Sequence, residues 1–331
     1  MDDVSGASMS VLRRNVRYGT ALMPTFVKDA LAEIPGITFT CPQVNPVGNY
    51  DLFPETRVQP MENLPAKFKM PSVTMINSCV QDQTALWRWQ MMMVEQMGAA
   101  MFRRHSLERM NVGSKVHKTI ENVLKDFKES QSIEKTDQEI LDAIVPGKMD
   151  PPAMESVRCY MTSILPLLRE RLVPNTPLEI EGKVTHYGLF YSGKFDAICS
   201  LGSSDLMLID WKTVSSASAK SETAVDETEL YGYPTQLAAY VGAVNADPKY
   251  ESLGTIKKAA VVLMYESKRP AEVRVFDSDE LKKYWDAWLN GCHKYFYTMK
   301  NYEGKYGNTV DFAYNPALKE SGSKRIFGIR V

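Results

Sequence analysis

Two carboxylates and a lysine lie near the ends of apolar runs in the middle of the chain, where buried strands would deliver charge to a sheet edge. The run from Leu206 to Ile209 is followed by Asp210 and Lys212, and the preceding segment, GKFDAI, contains Asp196. Because side chains alternate along a strand, Asp210 and Lys212 project to the same side. Charged groups placed together in this way can bind a cation or act on a bound substrate.

The spacing of the two runs places the acids opposite each other. If residues 202–204 form a three-residue hairpin loop, Leu201 pairs with Asp205. Counting outward then puts Asp196 directly opposite Asp210. Cβ atoms in such pairs lie about 4.5–5.5 Å apart, and like charges there are destabilising unless a positive charge lies between them. Oxygen ligands without a His/Cys cluster favour Mg²⁺ or Mn²⁺, so we predict such a site within reach of Lys212.

An acid-x-Lys pattern is not specific by itself, because it occurs at six other places. These are Asp126/Lys128, Glu181/Lys183, Asp247/Lys249, Glu266/Lys268, Glu280/Lys282 and Glu303/Lys305. The strongest competitor is Glu266, which also follows an apolar run, AAVVLMY. A motif is a hypothesis that needs its structural context. Whether Asp210 and Lys212 form a functional pair must therefore be judged from the segments that flank them.

The composition is that of a globular protein with a substantial core: 331 residues, 44% hydrophobic and 24% charged. Five scattered cysteines without a C-x-x-C pair indicate neither a disulfide framework nor a zinc or iron–sulfur site. No apolar run approaches the roughly 20 residues of a membrane helix, so we expect no membrane partner. The net charge of −1 means that a nucleic-acid partner would need a local basic groove.

The pattern of apolar residues predicts a helical first half and a β-rich second half. Helices are expected over 81–104, 114–128, 136–145 and 152–172, the last interrupted or kinked at Pro166. Beyond Pro174 we predict strands 178–185, 189–200 and 205–212, a helix 229–245, a strand 259–265 and a helix 278–302. Asp277 and Glu280 form a capping box for the last helix. This order predicts an α/β fold with a small mixed sheet flanked by helices.

The same pattern predicts the domain organisation. Residues 1–70 form a basic and Pro-rich lead-in, residues 71–302 one domain with a helical part (71–173) and a catalytic part (174–302), and residues 303–331 a C-terminal tail. From Val4 to Lys28 there is no acid, while Arg13, Arg14 and Arg17 are basic. That composition resembles a mitochondrial presequence, and a flexible basic arm is the alternative.

The quoted segments resemble the PD-(D/E)XK nuclease fold in its RecB-type branch. That branch has a Glu, a G-x-x-D, a hydrophobic strand ending in D-x-K, a helix with Q-x-x-x-Y, and an upstream G-x-x-x-H. The matching residues are Glu181, Gly193 with Asp196, Asp210 with Lys212, Gln236 with Tyr240, and Gly113 with His117. Glu266 has neither an upstream G-x-x-D nor a following Q-x-x-x-Y. Branches that carry an iron–sulfur cluster are disfavoured because they use clustered cysteines.

Within that branch the chain resembles the mitochondrial genome maintenance exonucleases. The likeness covers about residues 70–300, from PSVT at 71–74 through the Trp-rich helix to YWDAWL. It implies a metal-dependent exonuclease that cuts single-stranded DNA from free ends and flaps, in mitochondrial DNA replication and repair. We expect a monomer. The alternatives are a nuclease-fold module that binds nucleic acid without cutting, and a duplex endonuclease.

The resemblance also implies a role for each matching residue. Asp196, Asp210, His117 and the backbone carbonyl of Trp211 would hold the metal. Lys212 would orient or help deprotonate the attacking water and balance charge in the transition state. Glu181 would order water, and Gln236 and Tyr240 would position the DNA strand or the lysine.

Several of these residues also have purely structural explanations. Taken alone, His117 lies beside an apolar helical stripe and Tyr240 could be an ordinary core residue. The tryptophans could stack on bases, although large aromatic residues at helical spacing more often pack in a core; they are Trp87, Trp89, Trp285 and Trp288.

Overall fold

A five-stranded mixed sheet lies between two layers of helices. The computed structural model describes residues 50–57, 70–80, 84–215 and 232–301. The α-helices in these ranges are α1 Val73–Val80, α2 Thr84–Met97, α3 Ala99–Ser130, α4 Asp137–Asp142, α5 Pro151–Arg171, α6 Tyr233–Ala246 and α7 Ser278–Asn301, and a 3₁₀ helix spans Pro248–Leu253. The strands are β1 Glu179–Ile180, β2 Lys183–His186, β3 Tyr191–Lys194, β4 Ala197–Ser200, β5 Leu206–Val214, β6 Lys258–Tyr265 and β7 Glu272–Phe276. The predicted α/β class with a mixed sheet is confirmed.

The strand order in the sheet is β1-β4-β5-β6-β7. The central strands β5 and β6 are parallel and are connected through α6, whereas the other neighbouring pairs are antiparallel. Strands β2 and β3 form a separate two-stranded ribbon. The edge strand β7 was not predicted: its sequence, EVRVF, is short and mostly half-buried, so its apolar signal is weak.

Each face of the sheet packs against its own helices. Along β5, Leu208 belongs to the core that contains α6 and α7, while Met207, Ile209 and Trp211 belong to the core that contains α3 and α5. This alternation is the period of two that a strand requires. It places the side chains of even-numbered β5 residues on the face covered by α6.

One hairpin bends where the sheet gives way to the ribbon. We predicted two continuous strands, 178–185 and 189–200, and the structure interrupts both at Glu181–Gly182 and Phe195–Asp196. The interruption preserves the pairing, because Glu181 N–H donates to the Asp196 carbonyl at 2.7 Å and Phe195 N–H to the Gly182 carbonyl at 3.0 Å. The Phe195 ring covers Gly182 so closely that a Cβ there would lie 2.1 Å from it. Glycine is therefore required at the bend.

The helical half follows the predicted pattern with different boundaries. Helix α2 ends and α3 begins around Gly98, so the prediction of one continuous helix over 81–104 is wrong. The φ of 81° at Gly98 is readily available only to glycine. Helix α3 then runs unbroken through Gly113 for 32 residues, so the predicted break between 104 and 114 is wrong. Helix α5 continues through Pro166, so the predicted interruption there is absent, and the Asp277–Glu280 capping box is present at α7. None of the described helices is long and apolar enough to cross a membrane.

Part of the predicted lead-in packs onto the folded body. Leu52 is fully buried, and its carbonyl accepts a hydrogen bond from Asn245 Nδ2 at 3.0 Å. Arg57 donates to the carbonyl of Val244 in the last turn of α6 and to the carbonyls of Asp247 and Gly254 beyond that helix. The folded body therefore includes residues 50–57 and does not start at Pro71 as we predicted. The predicted presequence and the tail after Tyr302 lie outside the described residues.

A buried histidine makes the stability of this fold depend on pH. Burial of His186 lowers its pKa from 6.5 to about 3, and its Nδ1 accepts the Leu189 N–H at 3.0 Å. Its ring stacks on Tyr191 and Trp285. In the unfolded chain, His186 is therefore protonated below about pH 6.5, whereas in the native state it stays neutral down to about pH 3. We expect the free energy of unfolding to fall by about 2 kcal/mol between pH 7.5 and pH 5 from this residue.

Urea unfolding at the two pH values measures this loss. His186→Gln removes the titrating group, so its pH-dependent loss should be smaller than that of the wild type. His105→Gln changes an exposed histidine on α3 and is the matched control. An unchanged pH dependence in His186→Gln would contradict the assignment.

Candidate active site

Three carboxylates lie in register across adjacent strands. The β4–β5 pairing joins Ala197 to Ile209, so its continuation places Asp196 opposite Asp210, as the predicted register required. On the other side, the register of the bent hairpin places Glu181 opposite Asp196. Glu181 has a left-handed backbone with φ of 54°. The pairing register therefore places a third acid beside the pair.

Helix α3 adds an imidazole to this group. His117 Nδ1 lies 3.3 Å from Asp196 Oδ1. Ligand atoms of His117, Glu181 and Asp196 all lie within 4.8 Å of one another, which suits a single metal ion. Oxygen and imidazole donors of this kind fit a divalent cation such as Mg²⁺ or Mn²⁺. Glu181, which the sequence assigned to ordering water, is thus among the possible ligands.

Asp196 is held in place by the neighbouring strand. Its Oδ2 accepts the Trp211 N–H at 2.8 Å, while Oδ1 faces His117. Burial lowers the pKa of His117, but the hydrogen bond and the charge of Asp196 more than offset this and leave the pKa raised. The hydrogen bond from Trp211 thus fixes the carboxylate that lies with His117 and Glu181 in the possible metal cluster.

Asp210 and Lys212 form an ion pair on β5. The two charged atoms, Lys212 Nζ and Asp210 Oδ2, are 2.6 Å apart, and both side chains are largely buried. Burial raises the pKa of Asp210, although the lysine opposes this shift. Burial lowers the pKa of Lys212, but the Asp210 charge more than offsets this and leaves it raised. The pair places a cation beside the acidic cluster.

Helix α6 covers this side of the sheet with Gln236 and Tyr240. Gln236 Nε2 donates to Tyr240 Oη at 3.0 Å, as the i,i+4 spacing allows. Burial raises the pKa of Tyr240 to about 12. Gly193 explains how the ring fits, because a Cβ on that residue would lie 2.5 Å from Tyr240 Cε1. The glycine of the G-x-x-D segment is thus explained by close packing against the tyrosine of Q-x-x-x-Y.

Gly193→Ala should therefore disturb the site through packing. The new methyl group would also lie 3.2 Å from Val73 Cγ2, so neither neighbour has free space. We expect a loss of about 1–3 kcal/mol in the free energy of unfolding, measured by urea denaturation. In a Tyr240→Leu background the same substitution should cost less, because Leu has no atom at the Cε1 position. An equal cost in both backgrounds would contradict this explanation.

Two contacts at the site were missed by the sequence reasoning. Lys194 forms an ion pair with Glu181, and Lys212 Nζ lies 4.6 Å from the centre of the Tyr233 ring. Lys194 is two residues before Asp196 and therefore diagonal to Glu181 across the hairpin, so the pairing register contained the signal for it. Tyr233 begins α6, and no sequence pattern connects that position with Lys212.

Other candidates lie elsewhere. Glu266 follows β6 and accepts a hydrogen bond from Ser156 at 2.7 Å. Asp210 pairs with Val261, which places Glu266 five residues further along the strand direction, roughly 16 Å away. Trp285 and Trp288 are buried in the core, whereas Trp89 is 37% exposed. The side chain of Trp87 lies outside the described residues.

The fold and the site together define a nuclease class. A sequence profile of the PD-(D/E)XK nuclease superfamily matches residues 84–307. The chain belongs to this superfamily.

More specific similarity leads to one group of relatives. The chain is similar to "Mitochondrial genome maintenance exonuclease 1" of Mus musculus, with 28% identity over 237 residues, and of Xenopus tropicalis, with 26% over 239 residues. The protein of that name from Homo sapiens is 24% identical over 235 residues. The matches cover 70–71% of this chain and 60% of each relative. The resemblance to mitochondrial genome maintenance exonucleases is confirmed.

Proposed function

We propose that the chain is a divalent-metal-dependent exonuclease that hydrolyses phosphodiester bonds of single-stranded DNA. The observation that supports this most directly is the in-register set of Glu181, Asp196 and Asp210, with His117 on one side and Lys212 on the other. The names of the relatives support an exonuclease.

The proposed chemistry divides the work among these residues. Asp196, Asp210 and His117, with the Trp211 carbonyl, would hold Mg²⁺ or Mn²⁺, and Glu181 would join them or order water. Such an ion supplies Lewis-acid polarisation of the phosphate and lowers the pKa of water. Lys212 would orient the attacking water and balance the negative charge that develops on the phosphate. Asp196 is pre-oriented for this by its hydrogen bond from Trp211 N–H.

The residues of α6 would position the substrate. Gln236 is half-buried at the site, and its side chain is oriented by Tyr240. It would contact the DNA strand or hold Lys212 in place. The Tyr233 ring lies near the same lysine and would limit its rotation.

A nuclease assay tests the proposal. End-labelled single and double strands of one sequence are incubated with Mg²⁺, with Mn²⁺ and with EDTA, and the product lengths are followed over time. We expect metal-dependent shortening of the single strand from its end. Binding without cleavage in either metal would favour a non-catalytic module, and internal cuts in the duplex would favour an endonuclease.

We also propose that the protein acts in mitochondria, in the replication and maintenance of mitochondrial DNA. The acid-free basic stretch between Val4 and Lys28 and the names of the relatives support this. Residues 1–40 fused to a fluorescent reporter should direct it to mitochondria. The same fusion with Arg13, Arg14 and Arg17 changed to Gln should stay in the cytosol. A reporter that is diffuse with the native segment would contradict a presequence within residues 1–40.

A further inference from the structure

One face of α3 continues from the proposed metal site along an exposed part of the helix. Residues at intervals of three or four share a helix face, so Arg103, Ser106, Met110 and Gly113 lie on the face of His117. At 1.5 Å per residue, Met110 is about 10 Å and Arg103 about 21 Å from His117 along the axis. We call Arg103, Ser106, Met110 and Gly113 the α3 track.

One end of the track lies next to strand β5. A Cβ on Gly113 would lie 3.9 Å from Thr213 Oγ1, and Thr213 follows Lys212 on β5. Gly113 therefore lies against β5 at the residue that follows Lys212. Farther along, Arg103 is exposed and Met110 is 67% exposed.

The composition of the track suits an unpaired nucleic-acid strand. Between Ala99 and Val116 the only acid is Glu108, which is half a turn away from the face of His117. Arg103 offers a cation for a phosphate, and the thioether of Met110 offers a polarisable surface for the face of a base. Arg103 alone would attract any anion. Because Met110 lies between Arg103 and the metal site and can contact the face of a base, the track favours a strand whose bases are unpaired.

We propose that the α3 track binds the single strand beyond the scissile phosphate and leads it to the metal site. This proposal rests on the proposed function, because it assumes that the metal site at the end of the track cleaves DNA. Arg103 would contact a phosphate, and Met110 would pack against a base between Arg103 and His117. Both are substrate-positioning residues and take no part in the chemical step.

The helix supplies matched controls for both positions. Arg104 is also exposed but is rotated by about 100° from Arg103, away from the track. Met101 is 52% exposed and lies on the side of the helix opposite Met110. The tests are therefore Arg103→Gln against Arg104→Gln, and Met110→Glu against Met101→Glu. Circular dichroism and thermal unfolding verify that each full-length variant is folded.

Binding of a fluorescent oligothymidylate is measured by anisotropy in EDTA, over a series of salt concentrations. Loss of one phosphate contact should reduce the slope of log K against log salt by about 0.7. We expect this reduction in Arg103→Gln and not in Arg104→Gln. Met110→Glu should weaken binding about tenfold or more, since it replaces a base contact with a charge that repels phosphate, and Met101→Glu should bind like the wild type.

Equal slopes for the two arginine variants, or equal affinities for the two methionine variants, would overturn the proposal. Because binding in EDTA does not require cleavage, the outcome is separable from the proposed function. A protein that shows the track effects but never cuts DNA with Mg²⁺ or Mn²⁺ would refute the exonuclease activity and retain the track. A protein that cuts DNA but shows no track effects would refute the track alone.

Discussion

Asp210→Asn is expected to reduce the rate of DNA cleavage by roughly 10²–10³-fold or more, because it removes a proposed metal ligand and the charge partner of Lys212. Lys212→Ala should cause a loss of similar size, since it removes the cation proposed to balance charge at the phosphate. The affinity for single-stranded DNA should remain largely intact in both variants, because we expect phosphate contacts away from these two residues to supply it. Single-turnover cleavage and anisotropy with the same oligonucleotide measure the two quantities.

Glu266→Gln is the control for this result. Glu266 is also the acid of an acid-x-Lys pattern. It accepts a hydrogen bond from Ser156 on α5, however, and lies away from Asp196 and Asp210. Its cleavage rate should match the wild type. Full activity in Asp210→Asn, or a loss confined to Glu266→Gln, would mean that the other strand carries the chemistry. Thermal unfolding of each variant separates lost chemistry from lost folding, since both β5 substitutions leave a buried charge without its partner.

The placement of Asp196 opposite Asp210 could be predicted from sequence, because it depends only on the number of residues between them and on the length of the hairpin loop. A three-residue loop fixes the register of β4 and β5, and the register fixes which residue lies opposite Asp210. The capping box at α7 is equally local, since it requires only Asp277 and Glu280 at the right spacing. These features follow from short segments whose geometry does not depend on the rest of the chain.

The remaining features depend on contacts between distant segments. Helix α1 has the sequence VTMINSCV, whose β-branched residues have low helix propensity. The segment is nevertheless helical, and its Val73 and Ile76 are buried in the core against residues from distant parts of the chain. Likewise, the segment around Leu52 is ordered by Asn245 and Arg57, and no local pattern predicts those bonds. Close packing of the Phe195 ring on Gly182, at the interruption beside Glu181, is likewise a contact that the predicted continuous strands did not contain.

The proposed exonuclease should require a free strand end. Helix α3 contributes both His117 and residues that pack into the core, so it borders the site along one side, and α6 covers the adjacent face of the sheet. A site bordered in this way admits an unpaired strand that enters by its tip more readily than a strand held in a duplex or a ring. We therefore expect a linear single strand to be degraded and a covalently closed circle of the same sequence to persist.

The measurement compares initial rates on the linear and circular forms of one oligonucleotide, in Mg²⁺ or Mn²⁺ at low salt. Low salt strengthens phosphate contacts equally on both substrates, so a difference in rate reflects the end and not the affinity. Linearising the circle by a single cut should restore degradation, which excludes an inhibitor in the circular preparation. Comparable initial rates on the intact circle would contradict entry by a strand end and would indicate an endonuclease with an open cleft.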